Sequence, residues 1–180
     1  MERFNEIEAR VSEDIRTIES SKKKGKSVIP EIMFSDIVKN KVDYKAIKSV
    51  RRHGTVLVRN VFPPEKSEEW FNQLNHYLDQ NGYYEQDDTG LDNYFSDLKA
   101  DKPQICAVYW SKTQVHARQS TELSNTRSFL NRIWNYKKDT ITHFDPDKEC
   151  TYADRIRKRQ PGDTSLGLSP HVDGGSIERW

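Results

Sequence analysis

A histidine and an aspartate two positions apart, His171 and Asp173, could together hold a metal ion. In an extended strand, residues i and i+2 point to the same face, so the imidazole and the carboxylate would project side by side into one pocket. The pair would supply two of the three ligands of a 2-His-1-carboxylate triad, which binds Fe(II) and leaves coordination positions open. Spacing alone favours the simpler alternative, an Asp-Gly turn with a solvent-facing histidine, because His-x-Asp is a short motif with many chance matches.

Length and composition favour a packed protein with a small core. The chain has 180 residues, a length typical of one domain. Apolar residues make up 34% and charged residues 32%, which leaves little material for a hydrophobic core. Four tryptophans, eight tyrosines and seven phenylalanines nevertheless argue against disorder. A net charge of +1 gives no electrostatic argument for nucleic acid or a membrane surface, and we expect neither as a partner.

Cysteine usage and the N-terminal sequence predict a cytoplasmic protein. Cys106 and Cys150 are far apart and form no disulfide framework, so we expect free thiols in a reducing compartment. The first six residues are charged and lack the apolar segment of a secretory signal. No stretch approaches the roughly 20 apolar residues that a membrane-spanning helix requires.

Apolar residues near the N-terminus recur at steps of three and four: Phe4, Ile7, Val11, Ile15 and Ile18. This spacing predicts a helix with one apolar stripe, which we expect to pack on its own domain. A short coiled-coil arm is the alternative, although about three to four heptads would be needed to favour it. Residues 20–27 contain four lysines and predict a solvated linker. We therefore expect an amphipathic leader and Lys-rich linker over residues 1–27 and a domain over residues 28–180.

Capping residues delimit the elements expected in the first half of that domain. These are a short helix from Ser35 or Asp36 to Val38, a helix capped by Asp43 and ended by Gly54, a strand over Thr55–Val61, and a helix over Glu65–Asn81 followed by Gly82. Pro64 suits the first turn of the last helix, where its missing N–H costs nothing. We expect Trp70, Leu74, Tyr77 and Leu78 to lie on its buried side.

Three further strands and one helix are expected in the second half, and the last strand, over residues 166–171, runs into the His171/Asp173 pair. Residues 105–110 predict a strand, and residues 121–136 predict a helix that buries Phe129, Leu130, Ile133 and Trp134. Residues 154–159 predict a basic strand. Its arginines alternate and so share one face: Arg155, Arg157 and Arg159.

Cationic side chains give a second set of candidates. Arg155 and Arg157 could bind a carboxylate in a pocket, because a guanidinium pairs with a carboxylate through two parallel hydrogen bonds. The alternative is a solvated sheet face, which is the stronger expectation for at least two of the three alternating arginines. Lys112 and Arg118, near Trp110, could bind an anionic substrate or form only surface ion pairs.

Longer motifs carry a family resemblance. They are Tyr152–Arg157, Pro161–Asp163 and Pro170–Trp180, supported by Tyr109–Lys112 with Gln114, by Ala117–Gln119 and by Ile29–Ile32. On these residues, the chain from about residue 28 to residue 180 resembles an uncharacterised fungal and bacterial family within the Fe(II)/2-oxoglutarate-dependent dioxygenase superfamily. The resemblance implies a jelly-roll core, His171 and Asp173 as the first two iron ligands, and Fe(II) and 2-oxoglutarate as cofactors. It also implies a distal histidine and a basic residue for the 2-oxoglutarate carboxylate, both further along the family's chain.

The sequence departs from this pattern at its end. Four other histidines all precede the motif: His53, His76, His116 and His143. No residue follows Trp180, so we expect the chain to lack both the distal histidine and the basic residue that the resemblance places beyond it. We expect the His171/Asp173 pair to bind metal weakly and without productive turnover, because two ligands do not fix the coordination geometry.

The sequence-based expectation is an α+β fold, with a helical N-terminal part packed on an incomplete jelly-roll (double-stranded β-helix) sheet. An incomplete sheet leaves unpaired edges, through which the chain could self-associate. Function is expected to be that of a truncated relative of an oxygenase acting on a small molecule that the sequence does not identify. The alternatives are a non-catalytic binding module or degenerate product, and a site completed by another chain.

Overall fold

The structure, a computed structural model, describes residues 2–83, 105–106, 108–149, 151 and 153–158. Its helices are α1 (Glu2–Lys23), α2 (Phe34–Val38), α3 (Tyr44–His53), α4 (Pro64–Gln80), α5 (Lys112–Arg118) and α6 (Thr121–Ile133). Its strands are β1 (Glu31–Met33), β2 (Leu57–Arg59), β3 (Ile105–Cys106), β4 (Lys137–Lys138), β5 (Ile141–Thr142) and β6 (Ile156–Arg157). No helix in this part of the chain is long and apolar enough to cross a membrane.

The chain divides into two compact units. Unit 1 consists of Met1–Pro64 and Ser120–Glu149, and unit 2 of Glu65–Gln119 and Cys150–Trp180. Mixed helix and sheet is observed within them, with two-stranded pairings β1–β2, β3–β6 and β4–β5 in the described part. The jelly-roll arrangement and the division at residue 27 stay predictions.

Helix α1 confirms the predicted amphipathic helix but continues beyond Ser20, where the linker was expected to begin. It ends in a glycine cap, because Gly25 adopts φ +66° and its N–H donates to the Lys22 carbonyl at 3.0 Å. The prediction that its apolar stripe packs on its own domain is wrong, since Phe4 is 70% and Ile7 61% exposed. A lateral ion pair of 2.5 Å between Asp14 and Arg52 links α1 to α3, and such a contact does not cover the stripe.

Unit 1 is built on a short parallel pair of strands. Ile32 of β1 lies opposite Val58 of β2. The buried core consists of Ile32, Ile37, Val50 and Ile133. Strand β2 is shorter than the predicted strand over residues 55–61. Arg59 pairs with Glu31 through two hydrogen bonds of 2.9 and 3.1 Å, and this contact lowers the pKa of the Glu31 carboxyl.

The caps of α3 follow the prediction. The Asp43 carboxylate accepts a hydrogen bond from the Lys45 N–H at 2.9 Å, and Gly54 closes the helix with φ +67°. Helix α2 differs, because Met33 precedes it without a side-chain cap and neither Ser35 nor Asp36 occupies that position. Strand β1 runs directly into the helix, so the hydrogen-bonded strand sets its start.

Helix α6 ends earlier than predicted. Trp134 has extended backbone, with φ −90° and ψ 166°, so its ring leaves the helix face that buries Ile133. The predicted burial of Trp134 is wrong, since it is 48% exposed. The Arg51 side chain instead closes this end, donating from Nε to the Ile133 carbonyl at 2.5 Å. Arg127 and Arg132 form ion pairs with Glu149 and Asp147, which hold the segment after β5 against the helix.

Unit 2 has its own core. Leu78 of α4 packs with Cys106, Val108 and Ile156. Strand β3 pairs with β6 in antiparallel register, with Cys106 opposite Ile156. Helix α4 begins at Pro64 and is closed by Gly82 at φ +61°, as predicted. The expected burial of Tyr77 is wrong, because its side chain is 39% exposed on the flank of the face that buries Leu78.

Candidate functional site

The predicted site residues fall into two groups. His171, Asp173 and Arg159 lie outside the described residues. The pairing of His171 and Asp173 at a metal site therefore stays a prediction, and so does the position of Arg159 on the same face as Arg155 and Arg157. Arg155 and Arg157 are exposed on either side of buried Ile156, as the predicted alternation requires. Lys112 is the first residue of α5 and is exposed.

Helix α5 was missed by the sequence analysis, although its capping box is present in the sequence. Ser111 Oγ accepts from the Gln114 N–H at 3.2 Å, and the Gln114 side chain accepts from the Ser111 N–H at 3.3 Å. This reciprocal pairing is the S-x-x-Q pattern that starts many helices. Recognising it would have predicted a helix immediately after the strand expected over residues 105–110.

Gln114 joins two segments that are distant in sequence. Its side chain is buried, and its amide Nε2 donates to the Val108 carbonyl at 2.8 Å and to the Asp154 carbonyl at 3.0 Å. One side-chain amide therefore satisfies two backbone carbonyls. The interaction fixes the residues before α5 against the residues before β6.

Arg118 makes a second link between the same segments. Arg118 is 9% exposed, and its guanidinium donates to the Tyr109 carbonyl at 3.0 Å and forms an ion pair with Asp154. It also lies 4.8 Å from the centre of the Trp110 ring, a cation–π distance. We name these five residues the Arg118 cluster: Tyr109, Trp110, Gln114, Arg118 and Asp154.

The Arg118 cluster explains why β3 is shorter than predicted. The carbonyls of Val108 and Tyr109 accept hydrogen bonds from the Gln114 and Arg118 side chains. Side-chain donors thus occupy positions that a longer strand would use in a ladder. Because Arg118 is buried, its ion pair with Asp154 is part of an internal cross-link and differs from the surface ion pair that was one of its two expected roles.

Two further hydrogen bonds link residues near the Arg118 cluster to helix α4. Thr113 is buried and its hydroxyl donates to Gln73 at 2.8 Å. Lys158, just after β6, donates to the Asn75 side chain at 2.7 Å. Strand β6 is therefore held both by β3 and by side chains from two helices of unit 2, which gives its outward arginines a defined position.

The outward arginines have different surroundings. The Arg155 guanidinium lies 5.7 Å from the centre of the Tyr109 ring, so it is packed beside the Arg118 cluster. Arg157 lies opposite Ile105 in the register and is exposed. Both are placed where a carboxylate approaching β6 would meet positive charge, but only the sequence motif connects them to His171 and Asp173.

Cys106 is the one cysteine of the chain whose surroundings the structure describes. Its thiol is free and fully buried. Burial raises its pKa, and the nearby Lys158 ammonium opposes that effect. A buried, protonated thiol is a poor nucleophile and metal ligand, so Cys106 belongs to the core. Within the described ranges, no three His, Cys, Asp or Glu side chains lie close enough to hold a metal ion.

This chain is similar to known proteins over nearly its whole length. The Gig2-like family model matches residues 2–180. The uncharacterised protein YbiU of Escherichia coli (strain K12) is 37% identical over 177 residues. A crystal structure from Salmonella typhimurium LT2, of a protein provisionally described as an oxidoreductase, is 38% identical, with a TM-score of 0.85 over 98% of this chain. A structure of GlcNAc Inducible Gene 2 from Candida albicans is similar in fold alone, with 23% identity and a TM-score of 0.58 over 76% of this chain and 27% of that one.

The two bacterial relatives are longer than this chain. The match covers 98% of this chain but 42% of the Escherichia coli protein, and likewise 42% of the Salmonella protein. Likeness therefore extends over nearly all of this sequence and over less than half of each relative.

Proposed function

This chain belongs to the Gig2-like family, and from that membership and its motifs we propose that it is part of an Fe(II)/2-oxoglutarate-dependent oxygenase domain. His171 and Asp173 are the two iron ligands that it contributes. The observation that carries the proposal is the His-x-Asp pair within the longer motif Pro170–Trp180. The description of the Salmonella protein as an oxidoreductase supports the same class of reaction.

The chemistry of the donor set fits ferrous iron. Imidazole and carboxylate are ligands of the non-haem Fe(II) triad, whereas soft thiolate would favour other metals. When bound, iron and 2-oxoglutarate would supply the oxidising power for attack on a substrate C–H bond, while the protein supplies binding and orientation. His171 and Asp173 would fill two of the three protein-ligand positions of that triad.

The described residues have a supporting part in this proposal. The Arg118 cluster and Lys158 hold β6 in place, and 12 residues separate β6 from the motif that begins at Pro170. Arg155 and Arg157 on its outer side are the candidates for the 2-oxoglutarate carboxylate, with Lys112 as a third cation. The antiparallel β3–β6 pair is consistent with an early part of a jelly roll, whose strands are antiparallel.

Linked binding of metal and 2-oxoglutarate tests the proposal. Because 2-oxoglutarate chelates the metal through its carboxylate and 2-oxo group, we expect it to tighten the binding of Ni(II), a redox-inert substitute for Fe(II), by about tenfold. Succinate lacks the 2-oxo group and serves as the matched control. The measurement is isothermal titration calorimetry of this chain with each acid present.

Equal effects of 2-oxoglutarate and succinate would contradict the proposal.

A further inference from the structure

Helix α1 presents a continuous apolar surface to solvent. Its five apolar side chains, the α1 stripe, are exposed by 41 to 70%: Phe4, Ile7, Val11, Ile15 and Ile18. Monomeric soluble proteins rarely expose large contiguous apolar patches, and such patches commonly mark interaction surfaces. The stripe therefore needs a partner of matching shape, and its own spacing indicates which one.

The spacing of the α1 stripe is symmetric about Val11. Successive members are three, four, four and three residues apart. If two copies of α1 lie antiparallel about a two-fold axis at Val11, Phe4 of one copy faces Ile18 of the other. Ile7 then faces Ile15, and the two Val11 side chains meet at the axis. Every apolar residue finds an apolar neighbour, as a two-fold interface requires of one repeated surface.

Charge along the N-terminal segment favours the same orientation. Residues 2–13 contain four acidic and two basic side chains, whereas residues 14–26 contain two acidic and five basic ones. An antiparallel pair places the acidic half of each copy beside the basic half of the other. A parallel pair places the two acidic halves side by side and the two basic halves side by side. The helix dipoles also oppose each other favourably in the antiparallel arrangement.

We propose that α1 is a self-association surface, through which two copies of this chain pair as antiparallel helices about Val11. Five apolar residues per copy is far fewer than the roughly 20–30 residues on each side of a standard interface. The association is therefore weak, in the micromolar range or above, and reversible with concentration. It is separate from the sheet edge predicted from the sequence as a route to self-association.

A matched pair of charge substitutions tests the surface. Val11→Glu puts two carboxylates together at the axis, whereas Ala9→Glu adds the same charge two residues away, on the opposite side of the helix. Both positions are exposed, so neither substitution disturbs a packed core. Sedimentation equilibrium over a concentration series should show the unmodified chain approaching twice its 21.1 kDa mass. We expect Val11→Glu to weaken association at least about tenfold and Ala9→Glu to preserve it.

Cysteine cross-linking tests the orientation of the two helices. All variants carry Cys150→Ser, so that Cys150 cannot form a disulfide, and Cys106 is kept because it is buried. Val11→Cys should form a disulfide-linked dimer on oxidation, and the double variant Phe4→Cys/Ile18→Cys should do the same. Phe4→Cys alone should not, because its two copies would lie about 20 Å apart, beyond disulfide reach. A chain that stays monomeric, association that survives Val11→Glu, or a Phe4→Cys dimer would overturn the proposal.

Discussion

Replacing Leu78 with alanine lowers the free energy of unfolding of unit 2 by about 2–5 kcal/mol. Leu78 is 1% exposed and lies at the centre of a core formed with Cys106, Val108 and Ile156. Truncation removes buried methyl groups and leaves a cavity, whose cost depends on how far the surroundings relax. Since the core of unit 2 is small, the loss of one large side chain is a large fraction of its stability.

Phe71→Ala is the matched control for Leu78→Ala, because it truncates a large apolar side chain on the same helix that is 57% exposed. We expect it to change stability by no more than about 0.5 kcal/mol. Urea denaturation followed by tryptophan fluorescence measures both variants. Equal midpoints for the two variants would show that α4 does not bury Leu78 as described.

Replacing Arg118 with alanine is expected to lower the free energy of unfolding by about 2–3 kcal/mol. This is less than the roughly 3–5 kcal/mol typical of a broken buried ion pair, because the Asp154 side chain is 51% exposed. The substitution removes the donor to the Tyr109 carbonyl, the ion pair and the packing against Trp110. Arg118→Lys keeps the charge but lacks the planar fork, so it should recover only part of the loss.

Lys112→Ala is the control for the Arg118 variants, since it removes an exposed cation from the same helix. Its expected effect on the free energy of unfolding is within about 0.5 kcal/mol. Thermal and urea unfolding should rank the stabilities as Lys112→Ala above Arg118→Lys above Arg118→Ala. If Arg118→Ala were as stable as Lys112→Ala, the guanidinium would not cross-link α5 and β6.

Local signals predicted much of the helical framework. The cap at Asp43, the glycines at 54 and 82 and Pro64 in a first helical turn all depend on residues adjacent to the element they delimit. Such interactions are encoded within a few positions of sequence, so they can be predicted without knowing the fold. The missed helix α5 is of the same kind, because its Ser111–Gln114 capping box was present but unused.

Burial was predicted less well because it depends on distant partners. The exposed stripe of α1 and the exposed ring of Trp134 have the periodicity and residue types of a core. Conversely, Gln114 and Arg118 are buried because they bind groups 40 and 36 residues away, at Asp154. Sequence spacing contains no information about those pairings, and a polar helix face was therefore not expected inside unit 2.

For the candidate metal pair, the sequence and the structure contribute different observations. Its residue types and flanking motif were recognised in the sequence, and the Gig2-like family model matches the chain over residues 2–180. The described residues add the support on both sides of β6: Gln114 and Arg118 bind Asp154 before it, and Lys158 binds Asn75 after it. The positions of His171 and Asp173 remain a prediction that metal binding can test directly.

Isothermal titration of the chain with Ni(II) under reducing conditions tests that prediction, using His171→Ala and His116→Ala as a matched pair. His116 is an exposed histidine on α5, so its removal controls for adventitious binding by surface imidazoles. We expect weak binding that is lost in His171→Ala and Asp173→Ala and retained in His116→Ala. Binding that is unchanged in His171→Ala would contradict the assignment of His171 and Asp173 as metal ligands.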